Sequence, residues 1–250
     1  MIELKTSEQV EKIMRASEVV VSVLSSLKKE AVPGVKTKVL DKIAKDIIES
    51  KGAKPAFLGY RGFPNSICTS INEEIVHGIP GERVLKQGDI LSIDVGAELE
   101  GFFSDAAVTV AIGKIPQETQ KLIEISKEAL YRAIDSAKPG NRISDISCSI
   151  QEYVESNGFS VIREFVGHGI GSQLHEDPQI PNFGQRGVGP RIKKGMVFAI
   201  EPMVSAGSWE AEILSDGWTV ATKDRSITAH FEHTVAVSED GVEILTDGII

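Results

Sequence analysis

The chain has 250 residues, of which 41% are hydrophobic and 25% are charged, and this composition is typical of a globular protein with a sizeable core. A formal net charge of −9 argues against a protein that binds nucleic acid or membranes through a basic surface. The two cysteines, Cys68 and Cys148, exclude a disulfide scaffold and a structural zinc finger, and with no apolar run of spanning length and no secretory signal we expect a reducing, cytoplasmic setting.

Two helical patterns begin the chain, and strands follow them. Apolar residues recur at helical spacing over residues 10–24 and 39–48. Residues 90–95 and 101–111 alternate in polarity or carry β-branched and aromatic side chains, which predicts strands. We therefore expect two helices followed by a strand-rich stretch.

The rest of the chain shows the same order of elements. Helical spacing returns over residues 122–134 and 146–154. Strands are predicted at residues 196–204 and 228–237, which again are rich in β-branched residues. Two helices and then strands are thus predicted twice.

A weak internal repeat supports this division. Residues 31–52 and 137–158 each begin with Ala-x-Pro-Gly and end with Glu-Ser-x-Gly, at a constant offset of 106 residues. We predict one domain over residues 1–250 with an α+β fold, in which two related halves, approximately 1–112 and 113–250, surround one shared sheet.

Four acidic residues lie in these predicted strands: Asp94, Asp105, Glu201 and Glu232. A buried carboxylate needs a cation or a raised pKa. No lysine or arginine occurs in the stretches that carry them, residues 89–113, 195–222 and 226–250. Either distant basic residues reach these carboxylates, or the carboxylates are solvated, or they converge on divalent metal ions, for which two ions suit four carboxylates better than one.

Five histidines are available as further ligands or proton carriers. His77 precedes a Gly/Pro turn, His168 lies between two glycines, and His175 follows seven residues later. Neutral imidazole suits Zn, Co, Fe or Mn. His233 shares its strand face with apolar residues, so we interpret it as a packed structural histidine, and His230 has no strong claim to a role.

Several common catalytic motifs are absent. His175-Glu176 begins like the zinc-protease motif HExxH, but the second histidine is missing and Pro178 disfavours a helix. The sequence also contains no P-loop, no GxGxxG and no GxSxG elbow.

Together the motifs resemble type I methionine aminopeptidase over almost the whole chain. The resemblance rests on Asn72-Glu-Glu-Ile-Val-His77-Gly-Ile-Pro80, Ile93-Asp94-Val95-Gly96, Ser104-Asp105, Gly167-His168-Gly-Ile-Gly171, Leu174-His175-Glu-Asp-Pro178, Ile200-Glu201-Pro-Met203 and Phe231-Glu232-His233-Thr234. It implies the pita-bread fold, in which two halves related by a pseudo-two-fold axis share a curved antiparallel sheet covered by helix pairs.

The resemblance also implies a set of metal ligands. Asp94 would hold one metal ion, Asp105 and Glu232 would bridge two ions, and His168 and Glu201 would complete the other site. This set of one imidazole and four carboxylates suits Co, Mn, Fe or Zn.

The implied reaction removes the N-terminal methionine of nascent peptides with a small second residue. A hydroxide bridging the two metals would attack the first peptide carbonyl. His77, His175 and Glu201 would be the catalytic residues: His175 contacts the scissile amide or its oxyanion, His77 lies near the substrate amide, and Glu201 serves both as ligand and as proton shuttle.

The methionine pocket is implied by the same resemblance. Tyr60, Phe63, Cys68 and Trp218 fall where the family lines this pocket, and their polarizable surfaces suit a thioether. Cys68 would be a wall residue rather than a nucleophile, because no motif pairs it with a base.

Two alternative functions remain open on the same fold. One is a prolidase-like or aminopeptidase P-like dimetal peptidase, and the other is a non-catalytic binding protein. For the leading hypothesis we expect a cytoplasmic monomer that acts on methionyl peptides and nascent proteins, with the ribosome as a candidate partner and with no nucleic-acid or membrane partner.

Overall fold

The computed structural model describes residues 2–250. It contains four α-helices: α1 Ser7–Glu30, α2 Thr37–Ser50, α3 Gln117–Ser136 and α4 Ile143–Ser156. The strands of the first half are β1 Lys54–Pro55, β2 Cys68–Ile71, β3 Glu74–Val76, β4 Ile90–Leu99 and β5 Phe102–Ala111, with a short 3₁₀ helix at Tyr60–Gly62. Those of the second half are β6 Ser160–Val161, β7 Val166–Gly169, β8 Glu176–Pro181, β9 Val197–Ile200, β10 Met203–Ser205, β11 Ala211–Ile213, β12 Val220–Thr222, β13 Thr228–His230, β14 His233–Val237 and β15 Val242–Ile244.

The helices begin and end where local sequence favours it. Thr6 caps α1 with its side-chain oxygen on the Gln9 amide, while the Gln9 side chain accepts from the Thr6 amide, which satisfies two amides that the first helical turn leaves free. Helices α2 and α4 both have 14 residues, and their boundaries are separated by the same 106 residues as the sequence repeat. The predicted order of two helices followed by strands is therefore observed in both halves.

The helices cover one face of the sheets. Helix α1 packs on β4, β5 and α2, and α3 packs on α4 and on strands of the second half. Buried apolar residues of both helix pairs form one core with Ile93 and Val95 of β4 and with Ala106 and Val108 of β5. Because side chains alternate along a strand, the residues between these core positions point away from the helices. Val39, the first apolar residue of the pattern on α2, is 42% exposed.

Every strand pairing within residues 2–250 is antiparallel, as predicted. The curved surface consists of four hydrogen-bonded sheets rather than one continuous sheet: β1-β4-β2 with β5 beside β4, β15-β14-β9-β7-β8, β13-β10-β6 and β11-β12-β3. The two larger sheets meet where Ala107 of β5 forms an isolated antiparallel bridge with Glu232.

Two of the predicted strands are shorter than their patterns indicate. Residues 196–204 form β9 and β10 with a break at Glu201-Pro202, and residues 228–237 form β13 and β14 with a break at Phe231-Glu232. Proline has no amide hydrogen to donate, which explains the first break. Both acidic residues thus lie at strand ends.

Crossing a bilayer requires a long apolar helix, and none of the helices within residues 2–250 meets that requirement.

Candidate active site

All the residues that the sequence singled out as site residues line a single cavity of about 390 Å³. They are Asp94, Asp105, His168, Glu201 and Glu232, the histidines His77 and His175, and Tyr60, Phe63, Cys68 and Trp218. The structure therefore brings together groups that are up to 172 residues apart in sequence, from Tyr60 to Glu232.

Antiparallel register places the carboxylates next to one another. On β4 and β5, Asp94 lies opposite Ala107 and Asp105 lies opposite Gly96, so the two aspartates are diagonal neighbours on one face. Glu201 directly follows Ile200 on β9, and Glu232 directly precedes His233 on β14. Ile200 and His233 are paired with each other. The two aspartates thus lie on β4 and β5, the two glutamates lie at the ends of β9 and β14, and all four line the same cavity.

His168 enters the site on β7, which lies between β8 and β9. A Cβ atom at Gly167 would lie 2.5 Å from the Ala199 carbonyl oxygen, and one at Gly169 would collide with the carbonyl oxygen of Asp177. Glycines on both sides of His168 therefore allow the neighbouring strands to approach closely enough to aim this imidazole at the carboxylates.

The carboxylates are buried (Asp105 and Glu232) or half-buried (Asp94 and Glu201), and none has a basic partner from lysine or arginine. Burial, reinforced by neighbouring carboxylates, raises the pKa of Asp94, Glu201 and Glu232 well above the usual range, and burial raises that of Asp105 to about 7. Across residues 2–250, no lysine or arginine forms an ion pair with any of the four.

These side chains fit a divalent metal ion. One oxygen each of Asp94, Asp105 and Glu232 is buried without a hydrogen-bond partner. Ligand atoms of Asp105, His168 and Glu232 all lie within 4.8 Å of one another. A cation placed among them would supply the partner that the unpaired oxygens lack.

The state of His168 suits the same role. Its Nδ1 lies 2.9 Å from the carbonyl oxygen of Gly169, an acceptor, so Nδ1 carries the hydrogen and Nε2 presents its lone pair to the cavity. Burial lowers the pKa of His168 to about 4, which keeps the ring neutral at pH 7. Nε2 is 3.6 Å from Oε1 of Glu201.

The two remaining sequence-predicted histidines lie on different walls. His175 is held between Tyr60 and His168: its Nδ1 is 2.9 Å from the Tyr60 hydroxyl, and its ring centroid is 4.2 Å from that of His168. His77 has a positive φ of 60° and makes edge contacts with Phe165 and Trp218, with centroids 5.6 and 6.5 Å away. Burial lowers the pKa of His77, so its ring is neutral at pH 7.

An apolar region lies beside the polar cluster. Phe63 and Trp218 pack edge to face with centroids 5.2 Å apart, and Asp216 holds Trp218 in place by accepting from its amide at 2.9 Å. Cys68 lies opposite Asp94 on the neighbouring strand, and burial together with Asp94 raises the pKa of its thiol. Such a thiol is a packing group and a poor nucleophile.

Comparison with known proteins assigns the chain to a family. The profile of metallopeptidase family M24 matches residues 11–239. The chain belongs to metallopeptidase family M24. Among M24 proteins, it is 53% identical over 246 residues to methionine aminopeptidase 1 of Bacillus subtilis, covering 98% of this chain and 99% of that protein.

Solved M24 structures confirm the pita-bread fold. The crystal structure of methionine aminopeptidase from Thermotoga maritima matches with a TM-score of 0.97 at 47% identity, covering 98% of this chain and 99% of that one. Prolidase from Pyrococcus furiosus matches with a TM-score of 0.81 at 24% identity, and the match covers 98% of this chain but 65% of that one. The prolidase shares the fold alone.

One residue near the M24 site was missed by the sequence reasoning. His230 is buried, its Nε2 has no hydrogen-bond partner, and that nitrogen lies 3.7 Å from Oε2 of Glu201. His230 lies two residues before Glu232, a spacing that on a continuous strand would place both side chains on the same face. A break between β13 and β14 separates them, so strand alternation does not predict where the His230 side chain lies. His233 is confirmed as a packed residue, with Nδ1 at 2.8 Å from the Thr246 hydroxyl.

Proposed function

We propose that this chain is a metal-dependent methionine aminopeptidase, which hydrolyses the first peptide bond of methionyl peptides and nascent proteins whose second residue is small. The observation that carries this proposal is the cluster of four buried or half-buried carboxylates, none paired with lysine or arginine, beside an apolar region in a single cavity. The high identity to methionine aminopeptidases over nearly the whole chain supports the same activity.

We assign five residues as ligands of two divalent ions. Co, Mn, Fe or Zn would suit this ligand set. Asp94 would hold one ion, Asp105 and Glu232 would be shared by both, and His168 with Glu201 would complete the other site. When bound, such a pair supplies an activated water and polarises the substrate carbonyl. The unpaired oxygens of Asp94, Asp105 and Glu232 support this assignment.

The histidines orient the substrate and donate hydrogen bonds. If the Tyr60 hydroxyl donates to Nδ1 of His175, Nε2–H of that ring is the free donor, and it faces the oxygen of the scissile amide as negative charge develops there. His77 lies on another wall and contacts the substrate amide. Glu201 takes up a proton of the attacking water at its carboxylate and releases it to the leaving amine.

The apolar end of the cavity accepts the methionine side chain. Tyr60, Phe63, Cys68 and Trp218 line it, and aromatic and sulfur surfaces bind a thioether well. The polar cluster lines the same cavity, so the free amine of the substrate would bind at the polar cluster while its side chain binds the apolar region, which would make the enzyme an exopeptidase.

Peptide assays test this function. With Mn(II) or Co(II), the purified chain should release methionine from Met-Ala-Ser, spare Met-Lys-Ser and formyl-Met-Ala-Ser, and leave Gly-Pro intact. Cleavage of Gly-Pro alone would establish the prolidase alternative. No turnover and no stoichiometric metal uptake would establish the non-catalytic one.

The chain is further proposed to act as a cytoplasmic monomer with one catalytic domain, on peptides as they leave the ribosome. The complete set of proposed ligands within one chain supports a monomer, because no second copy is needed to build the site. Sedimentation analysis of the active protein should give the mass of a single chain.

A further inference from the structure

Of the two proposed bridging carboxylates, Asp105 lies on β5 and Glu232 lies just before β14 of another sheet, and one isolated backbone bridge joins the two segments. Glu232 and Ala107 form the bridge, with the Glu232 amide 2.9 Å and the Ala107 amide 3.4 Å from the opposite carbonyl oxygens. Asp105 lies two residues from Ala107 on β5. One pair of backbone bonds alone would leave both strands free to pivot about this point.

A threonine hydroxyl holds the strands together on one side of the bridge. The Thr234 hydroxyl, on β14, donates to the carbonyl oxygen of Asp105 at 2.7 Å and accepts from the amide of Asp105 at 3.0 Å. The residue that carries one bridging carboxylate is therefore bound at both of its backbone polar groups by a side chain of the other sheet.

The other side of the bridge has the reciprocal arrangement. The Thr109 hydroxyl, on β5, donates to the carbonyl oxygen of His230 at 2.8 Å and accepts from its amide at 2.8 Å. His230 in turn has its ring 3.7 Å from Glu201 and lies two residues before Glu232. Thr234 of β14 thus binds the backbone of Asp105 on β5, and Thr109 of β5 binds the backbone of His230 on β13.

Both hydroxyls have their hydrogen-bonding capacity filled. A hydroxyl has one hydrogen and two lone pairs, and each threonine hydroxyl donates its hydrogen to a carbonyl oxygen. The third contact must therefore come from a donor: Ser104 reaches Thr234 at 3.3 Å, and Ser92 reaches Thr109 at 2.8 Å. Both threonines and both serines are buried, so water does not compete for these bonds.

From this geometry we infer that Thr109 and Thr234 are positioning residues for the metal centre, which set the separation and direction of Asp105, Glu232 and Glu201 by clamping β5 to β13 and to β14 where these strands meet. The inference rests on the metal ligands proposed above. Metal sites need their ligands held to within about 0.5 Å, and a bridge made of one backbone pair does not provide that restraint. Valine has the shape of threonine without the hydroxyl, so it would leave the amide and carbonyl of the clamped residue buried without partners.

The variants Thr234→Val and Thr109→Val test this role, with Thr69→Val as a matched control. Thr69 is also a buried threonine on a strand, 2% exposed, but its hydroxyl has no hydrogen-bond partner. Each protein is freed of metal and titrated with Co(II) at a temperature well below its unfolding transition. The visible absorption of bound Co(II) reports ligand geometry, and the titration reports affinity.

We expect Thr234→Val and Thr109→Val to weaken Co(II) binding at least tenfold and to change the visible spectrum, and to lower kcat for Met-Ala-Ser while KM stays within about twofold. Thr69→Val should match the unmodified chain, and Thr234→Ser, which keeps the hydroxyl, should restore affinity and spectrum. If Thr234→Val does not fold, the Co(II) affinity and spectrum of Thr109→Val decide whether the inference holds.

Unchanged affinity and spectrum in the valine variants, with only a lower melting temperature, would overturn the inference and leave the proposed function intact. Absence of Co(II) binding by the unmodified chain would instead overturn the ligand assignment itself, and this inference with it.

Discussion

Asp105 and Glu232 occupy environments that favour their neutral forms, yet the proposed chemistry needs them ionised. Burial raises the pKa of Asp105 to about 7, and burial together with neighbouring carboxylates raises the pKa of Glu232 well above its usual range. Their neutral isosteres would keep the shape of the site but lose the negative charge that holds a cation. Substituting these two residues therefore distinguishes what the stability of the metal-free fold needs from what metal binding needs.

Asp105→Asn and Glu232→Gln should each reduce cleavage of Met-Ala-Ser by about a hundredfold or more, because a bridging ligand serves both ions. The melting temperature of the metal-free protein should stay the same or rise at pH 8, since one of several repelling buried charges is gone. Peptide turnover and thermal unfolding measure the two effects. Asp46→Asn on the exposed surface of α2 is the control, and wild-type turnover in either site variant would refute the bridging assignment.

Tyr60 has two separable contacts with its surroundings. Its ring lines the apolar region, and its hydroxyl bonds Nδ1 of His175. Tyr60→Phe removes only the second contact, so kcat should fall by a factor of about two to ten, which corresponds to one neutral hydrogen bond, while KM changes little. Steady-state kinetics with Met-Ala-Ser, with Tyr153→Phe on α4 as control, measure this. A rise in KM at constant kcat would mean that the hydroxyl contributes to pocket binding instead.

At the scale of elements, the segment before α1 is tied to the strand that follows His175. The Lys5 side chain is 1% exposed, and its ammonium lies 2.8 Å from the Glu176 carboxylate, which is 11% exposed. Glu176 also accepts from the Gln173 amide at 3.1 Å, so it shapes the turn that leads to His175. The backbone of Lys5 bonds the Gly195 carbonyl oxygen, which fixes the segment beside β9.

Lys5→Met should destabilise the protein by about 1–3 kcal/mol, because it leaves a mostly buried carboxylate without its cation. The melting temperature should fall by about 2–4 °C per kcal/mol in a chain of this size. Thermal unfolding of the metal-loaded enzyme measures the change. Lys42→Met removes an exposed i,i+4 pair on α2 and should have almost no effect; equal effects of the two substitutions would contradict the special role of Lys5.

The interrupted strands show what periodicity does not report. Alternation continues through residues 196–204, but Pro202 ends the ladder after Ile200. The same interruption moves Glu201 out of the regular sheet and towards the cavity. Strand patterns therefore located the acidic residues. The interruptions between strands direct two of them, Glu201 and Glu232, towards the cavity.

At the scale of the whole molecule, the proposed metal ions and the charge of the site must be considered together. The metal-free chain carries four carboxylates whose folded pKa values are raised, and Asp105 is at about 7. A group with a raised pKa binds more protons in the folded state, so stability falls as pH rises towards that pKa. Burial lowers the pKa of His168 and of His230, so these rings work in the opposite direction, but only below about pH 6.5, where the unfolded histidines begin to be charged.

The metal-free protein should consequently lose stability between about pH 6.5 and 8.5, by about 1.4 kcal/mol per pH unit for each extra proton that the folded state retains. The metal-loaded protein should show no such loss, because ligation needs ionised carboxylates and binds the folded state. Urea unfolding at three pH values in this window, with EDTA or with saturating Mn(II), measures the difference. Identical pH dependence in both conditions would show that these carboxylates are not the metal ligands.

The two halves place their acidic residues in comparable positions. The first half supplies two aspartates from adjacent strands, and the second supplies two glutamates beside paired strands. The boundary between the halves predicted at residues 112 and 113 falls in the link between β5 and α3, and the division at this point stays a prediction.

Much of this protein is determined by its sequence alone. Helical periodicity and the Pro-Gly and Gly boundaries predict the four helices, and strand alternation predicts the elements that carry the carboxylates. The absence of nearby basic residues leaves solvation, distant basic residues or divalent ions as partners of Asp94, Asp105, Glu201 and Glu232, and the family resemblance favours the ions. These features are local, so a single chain segment is enough to detect them.

Tertiary structure decided which of these groups meet and how they are held. The contacts of His230 with Glu201, of Tyr60 with His175 and of Thr234 with Asp105 join residues from different sheets or loops. Sequence spacing carries no information about them, because they depend on strand register and on the way two sheets join at one bridge. The sequence thus determines which residues form the site, whereas their distances and contacts are determined only in the folded molecule.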